Sequence, residues 1–422
     1  MKILYVCDCL PTFVLNEIIE LKNHGHEMFI LGNDSSKLYK AVHGPIVMKN
    51  GLDKQFQRFF IVKNRKQKYV TFFQKLLADI FAHPQCATKA CWKLLRNYSN
   101  LKCGVIDYLD IRSFFDLGID IIHSPFSTPR MIDKVYLLSK ILNTPFTLCF
   151  RAHDLYYGNN MNEHIRRSAV IEKAAQIITI AGYNRDFLKK NLAIKKDIEI
   201  IHSAIDPKSF QTKGASRSPN SIIAVGRLDD QKGVIYLIQA CQILHAREIE
   251  YKCTIIGDGP EKESCQKFIA ERRIPNMHLI DYLPNEAVKE HLDRATVFVL
   301  PCEIASDGRR DILANALKEA MAMQIPVITS KMCGIEELVD DGVNGMLVPP
   351  QSPEALADAI ETLIKNPERG KTMGIEGRKK IETFFNIKTE VQKIDEILTK
   401  AVMHRATGKH PGMMEQSQGQ IS

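Results

Sequence analysis

The run Gly226-Arg227-Leu228-Asp229-Asp230-Gln231-Lys232-Gly233 sets an arginine and a lysine within one short turn. It follows the apolar run 222–225, which reads as a strand, and a helical pattern begins after Gly233. Arg227 and Lys232 therefore leave the C-terminal edge of a sheet, where open α/β sheets bind ligands. Arginine offers a planar two-pronged donor and lysine a compact charge, which together suit a diphosphate. For this stretch alone, two surface cations beside a turn is the plainer alternative. A second run, Asp311-Ile312-Leu313-Ala314-Asn315-Ala316-Leu317-Lys318-Glu319-Ala320-Met321-Ala322, follows the apolar run 297–300 and a loop at 301–310. Asp311 stands where an N-cap is expected, with the helix continuing through Met323. That would free the backbone N–H groups of Ile312, Leu313, Ala314 and Asn315 for an anion or sugar hydroxyls. Glu319 would then lie about two turns, roughly 12 Å, beyond Asp311. The two carboxylates could flank one extended ligand but could not share a proton. The alternative is an N-capped amphipathic helix with an exposed glutamate. His153 follows the apolar run 146–150 at a strand end, where a functional and a satisfied structural histidine are both open readings. His123 follows the run 119–122, and a satisfied structural histidine is the first reading there.

The elements that must position these residues alternate between short β-branched runs and longer helical patterns. The runs are 3–6, 28–31, 119–122, 146–150, 176–180 and 198–201 in the first half, and 222–225, 253–256, 278–280, 297–300 and 326–329 in the second. Such alternation reads as βαβ units on parallel sheets. Right-handed crossovers then give doubly wound α/β layers. Two sheets are expected, with five or six strands each. The small, polar stretch 213–220 divides them as a linker. The expected units are a first domain at 1–212 with a helical insert at about 40–110, a second at 220–378, a final helix at 379–402 after another at 353–364, and a disordered tail from 403.

The chain has 422 residues, 45% hydrophobic and 25% charged, which marks a globular protein of two to three domains. No apolar run reaches transmembrane length. Met1-Lys2-Ile3-Leu4-Tyr5-Val6 reads as a first strand rather than a signal peptide. The 11 cysteines are scattered without a Cys-x-x-Cys pair, as free thiols in a reducing cytoplasm would be. The net charge of +8 is local in origin. Between Lys49 and Lys102 stand 12 basic residues against Asp53 and Asp79, with Phe56, Phe59, Phe60, Tyr69, Phe72, Phe73 and Trp92 interleaved. Such a stretch suits an anionic membrane surface or an acidic acceptor; a solvated helical face is the plain alternative. Nucleic acid is not expected, because no nucleic-acid motif accompanies the charge.

Taken together, the two runs resemble the retaining glycosyltransferases of family 4, which have the GT-B fold: two Rossmann-like domains facing across a cleft. Gly226 to Gly233 match that family's Gly-Arg-Leu-x-x-x-Lys-Gly element. Asp311 and Glu319 before Ala320-Met321-Ala322 match its two acids separated by seven positions. Ile256-Gly257-Asp258-Gly259-Pro260, His202-Ser203-Ala204-Ile205-Asp206, Gly334-Ile335-Glu336-Glu337-Leu338 and Gly342-Val343-Asn344-Gly345 extend the match across about 200–350. Thr12 to Ile18, and the loop at 301–310, resemble the subgroup that builds bacterial exopolysaccharides such as colanic acid.

The resemblance implies transfer of a hexose-type unit from a UDP- or GDP-sugar to an acceptor hydroxyl with retained configuration. The acceptor would be a glycan or a lipid-linked sugar. Arg227 and Lys232 would neutralise the diphosphate, so that no metal or other cofactor is required. Glu319 would bind the ribose hydroxyls. Asp311 would lie beside the transferred sugar with His153 facing it, and the amides of residues 312–315 would hold sugar hydroxyls or phosphate. Thr12 and His123 fall on the acceptor side. The final helix would cross back to the first domain. A cytoplasmic location, peripheral at the inner face of the plasma membrane, follows from this reading. The chain departs from the family in having aspartate at the first acidic position, and Ile312-Leu313-Ala314 where Gly-Phe-Gly or Gly-Ile-Pro usually stands. A nucleotide-sugar epimerase and a non-catalytic binding relative are the competing readings.

Overall fold

The computed structural model describes residues 1–32, 44–58, 65–85, 87–88, 108–214 and 217–407. The first sheet contains β1 (Lys2–Cys7), β2 (Glu27–Gly32), β3 (Phe56–Arg58), β4 (Ile121–Ser124), β5 (Phe146–Phe150), β6 (Gln176–Thr179) and β7 (Ile198–Ile200). Their order is β3-β2-β1-β4-β5-β6-β7. The second sheet contains β8 (Ser221–Val225), β9 (Lys252–Ile256), β10 (Met277–Ile280), β11 (Val297–Leu300), β12 (Val327–Ser330) and β13 (Gly345–Val348), in the order β10-β9-β8-β11-β12-β13. Neighbouring strands run parallel in both sheets. Helices cover both faces, so the strands read as continuous apolar runs rather than alternating ones: β4, β5 and β11 are buried at every position.

In each sheet the strand order reverses at one place, between β1 and β4 and between β8 and β11. The crevice outside the strand ends at such a point is the natural ligand site of a doubly wound sheet. Adjacency of β8 and β11 also sets the loop after Val225 beside the loop after Leu300. One hydrophobic core runs from the first sheet to the near face of the second. A separate core fills the far face beneath the helices Val234–Ala246 and Pro353–Lys365.

Several expected boundaries move. The insert contributes a short edge strand, β3, paired through Ile30 and Phe56, besides the helices Gly44–Lys49 and Arg65–Ala82. β13 was not among the expected strands, because four residues opening on glycine carry too little pattern. The helix expected at 379–402 does not start at 379. One helix spans Pro367–Phe384 and another Ile387–Thr407. The break at 385–386 is tertiary in origin. Phe385 is fully buried, its carbonyl accepts from the Ile205 N–H at 3.0 Å, and the Ile387 N–H donates to the Ile205 carbonyl at 2.8 Å. The last helix does pack on the first domain, where Asp395 accepts from His24 at 2.9 Å and His26 at 2.8 Å. Helical structure continues to Thr407, past the expected start of the tail; residues 408–422 lie outside the described residues, as do Ala215 and Ser216 of the linker. Phe59, Phe60, Lys63, Lys89, Trp92, Lys93, Arg96 and Lys102 of the basic stretch also lie outside them. Among the described residues no helix is long and apolar enough to cross a membrane.

Candidate functional site

The turn after β8 is held open by Gly233, the left-handed cap before the helix Val234–Ala246. A Cβ there would sit 2.1 Å from the Pro301 carbonyl oxygen, so glycine lets the two loops touch. Arg227 projects into solvent, its side chain 68% exposed and its Nε 3.5 Å from Asp229. Lys232 turns inward and pairs with Oδ2 of Asp311. Gln231 Nε2 donates to the other Asp311 oxygen at 2.8 Å, and the Cys302 thiol donates to Oδ2 at 3.4 Å. Burial disfavours a charged Lys232, but Asp311 outweighs it and holds the lysine above its usual range. Burial and Asp311 together push the Cys302 thiol well up, which keeps it a neutral donor.

Asp311 is therefore not an N-cap. The helix spans Asn315–Ala322 and opens on Ala314, and residues 311–314 form an irregular loop drawn toward Lys232. The 12 Å separation along a continuous helix does not apply, and the helix stops one residue short of Met323. The amides of Ile312, Leu313, Ala314 and Asn315 nevertheless make no hydrogen bond among the described residues. The Ile312, Leu313 and Ala314 side chains are buried in the core that joins the two domains. Branched residues are accommodated at these positions because they point inward. Glu319 is half-buried, its carboxylate making no hydrogen bond or ion pair among the described residues, and burial raises its pKa.

Opposite this face, His153 lies on the short helix Ala152–Tyr156 after β5, exposed and stacked on Tyr157 at 4.7 Å. Partial loss of water around its ring, then Arg309 across the cleft, lowers its pKa. His123 is not at the surface. It is 1% exposed, with Nδ1 2.7 Å from Thr147 Oγ1 and its ring 4.9 Å from that of Tyr5. Burial and then Arg151 push its pKa down to about 3, so it is a neutral internal spacer and cannot reach an acceptor. Thr12 is half-buried at the start of the helix Thr12–Asn23.

Three residues went unrecognised in the sequence. Arg151 is buried between Phe13 and Phe126, at 4.6 and 5.4 Å, and its Nη2 lies 3.6 Å from Glu17. Its place directly after a strand was the available signal. Arg309 reaches Asp229 at 3.3 Å and Asp230 at 3.4 Å, tying the loop at 301–310 to the cation-bearing turn. Lys318 is fully buried and donates to the Ser203 carbonyl in the segment joining the domains. Burial, then Arg151, pushes its pKa down to about 7. The loop at 301–310 also bridges the cleft. Gly308 sits so close to Tyr156 that a Cβ would lie 2.5 Å from its carbonyl oxygen, Gly158 N–H donates to the Asp307 carbonyl at 3.3 Å, and the Arg310 guanidinium lies 4.3 Å over the Tyr156 ring. The groups gathered here are two cations, a fixed carboxylate, a run of unpaired amides and a histidine across the gap. Among the described residues, no group of three or more His, Cys, Asp or Glu is placed to hold a metal ion.

Residues 206–380 match the family model described as glycosyl transferases group 1. The chain is 33% identical over 206 residues to the amylovoran biosynthesis glycosyltransferase AmsK of Erwinia amylovora, covering 48% of this chain and 51% of that protein. It spans about half the length of the curated relatives it matches. A solved glycosyltransferase from Rickettsia africae ESF-5 superposes with a TM-score of 0.70 at 17% identity, covering 95% of this chain and 98% of that one. Anabaena Alr3699/HepE, crystallised with UDP and glucose, gives 0.70 at 15% identity, covering 95% and 100%. At these identities the likeness establishes the fold, which is GT-B.

Proposed function

We propose that this chain, whose residues 206–380 form a group 1 glycosyl transferase domain, transfers a sugar from a nucleotide diphosphate sugar to an acceptor hydroxyl with retained anomeric configuration, in exopolysaccharide or glycolipid synthesis. The observation that carries the reading is the Lys232–Asp311 pair beside the unpaired amides of residues 312–315. Asp311 takes one of the three Lys232 hydrogens and fixes the nitrogen in place, leaving two for diphosphate oxygens. Arg227 supplies a second, mobile cation. As the bond from the anomeric carbon to the diphosphate breaks, its electron pair goes to an oxygen these cations face; the acceptor oxygen bonds to the anomeric carbon, and the hydroxyl proton passes to the departing diphosphate. A preorganised positive site gains most at that moment. The amides of 312–315 would hold the sugar, with His153 on its other side and Glu319 on the ribose. The names of AmsK and of the UDP-bound HepE support a polysaccharide product and a UDP-sugar, with a GDP-sugar as the other donor to test.

Glu319→Ala is expected to lower kcat/KM for the donor about 10- to 100-fold, mainly through KM, because a charged acceptor of ribose hydroxyls is lost. A panel of UDP- and GDP-sugars assayed for release of the nucleoside diphosphate checks this. Wild-type kinetics for both Glu319→Ala and Arg227→Ala would remove the site assignment.

A lipid-linked acceptor is favoured by one surface. On the helix Arg65–Ala82, Phe73, Leu77, Ile80 and Phe81 share one face and are 58%, 59%, 38% and 86% exposed. Placed in the basic stretch 49–102, this face suits anionic lipid, its rings entering the headgroup boundary. On this reading the protein is peripheral at the cytoplasmic face of the plasma membrane. Co-sedimentation with vesicles containing phosphatidylglycerol, but not with pure phosphatidylcholine, is expected at low salt, and Phe81→Asp with Leu77→Asp should abolish it. Equal binding to both vesicle types, or none to either, would end the membrane reading.

A further inference from the structure

A second polar cavity, of about 540 Å³, lies on the donor domain away from the cleft. Its floor is one face of the β8-β9-β10 edge, and the pairing register explains its content. Ser221 stands opposite Lys252, Ile223 opposite Thr254, and Thr254 opposite His278, so these side chains share one face of the pleat. Ser221 and Lys252 are at the N-terminal ends of their strands, whereas Arg227 and Lys232 leave the C-terminal ends. The cavity is therefore at the edge of the sheet opposite the donor site. His291, near the end of the helix Asn285–Asp293, and Arg294 just after it form one wall, and Ser218 of the segment joining the domains forms another.

Four cationic or potentially cationic side chains, Lys252, His278, His291 and Arg294, thus face one space, and no carboxylate lines it. None of the four makes a side-chain hydrogen bond or ion pair among the described residues. Elsewhere on this domain basic side chains do find acids: Arg247 meets Asp358 and Glu361, Lys262 meets Asp281, and Arg309 meets three aspartates. Unbalanced cations around a hollow attract an anion, and Ser218, Ser221 and Thr254 add hydroxyls that can donate to its oxygens. The volume far exceeds that of a bare phosphate and falls in the range of small-molecule sites. Ile223 and Ile280 supply an apolar floor on which a sugar ring can rest.

We propose that this cavity is a second ligand site, binding a small phosphorylated sugar with its phosphate on Lys252, Arg294 and the two histidines and its hydroxyls on Ser218, Ser221 and Thr254. The site is independent of the donor chemistry, and its loss leaves the transfer site intact. Basic side chains around a surface hollow also serve solubility alone, and that role predicts no binding at all.

Calorimetric titration of the full chain with glucose 6-phosphate, and separately with inorganic phosphate, separates these. Glucose 6-phosphate is expected to bind at one site with at least tenfold higher affinity than inorganic phosphate. The Lys252→Ala, Arg294→Ala double variant should weaken binding at least tenfold while nucleotide-sugar turnover in saturating donor stays within twofold of wild type. Arg227→Ala should leave this binding unchanged. Absence of binding, or binding lost in Arg227→Ala and kept in the double variant, would overturn the proposal. Equal affinity for inorganic phosphate would overturn the sugar part of it.

Discussion

Lys232→Ala is expected to lower donor turnover by about 10²- to 10³-fold, the usual loss when one preorganised charge is removed from a developing anion. The loss should fall on kcat more than on KM, because Arg227 remains to bind the ground-state diphosphate while the fixed charge that meets the leaving group is gone. The substitution also leaves Asp311 half-buried with only Gln231 and Cys302 as donors. A cost of about 1–3 kcal/mol in stability follows from stranding that carboxylate. Stability and turnover can be separated by pairing Lys232→Met with Asp311→Asn. The double variant removes both charges, so its melting temperature should return toward wild type while turnover stays low. If turnover recovered along with stability, Lys232 would be a structural partner of Asp311 and nothing more.

A comparably large effect is expected from Gly233→Ala, a change that touches no charge. Gly233 has φ +60, a conformation that costs other residues roughly 1–2 kcal/mol. Its added Cβ would meet the Pro301 carbonyl oxygen at 2.1 Å, and backbone cannot swing aside as a side chain can. One of the two loops must retreat, carrying Lys232 or Asp311 with it. A displacement near 1 Å at such a site costs about 10²-fold in rate. Gly214→Ala is the control. It has φ +73 but nothing within 4 Å of its added Cβ, so it should bear the strain alone and keep wild-type turnover. Near-wild-type turnover for Gly233→Ala would show that the contact between the two loops does not set the geometry of the site.

The strands and helices that build both sheets were legible in the sequence because each is a local pattern. A run of β-branched residues between helical stretches needs no distant partner to be recognised, and the turn 226–233 and the acids at 311 and 319 stand in recognisable spacings. The strands that were missed, β3 and β13, and the misplaced break at 385–386 mark the limit of that pattern. Runs this short carry little periodicity, and the break depends on Ile205, some 180 positions away.

What only the tertiary structure decided is how the charges are spent. Lys232 and Asp311 are 79 positions apart and meet because β8 and β11 are neighbours at the point where the strand order reverses. That adjacency pulls Asp311 out of the helix it was expected to cap and gives it to the lysine. His123 was expected just after a strand, yet it lies within β4, where the sheet closes over it and leaves it neutral inside. Arg151 and Lys318, unremarkable letters in the chain, became buried basic side chains at the seam of the two domains. Pattern records which residues can form an element; the electrostatic state of a side chain is set by what the fold packs against it, and those partners come from other elements.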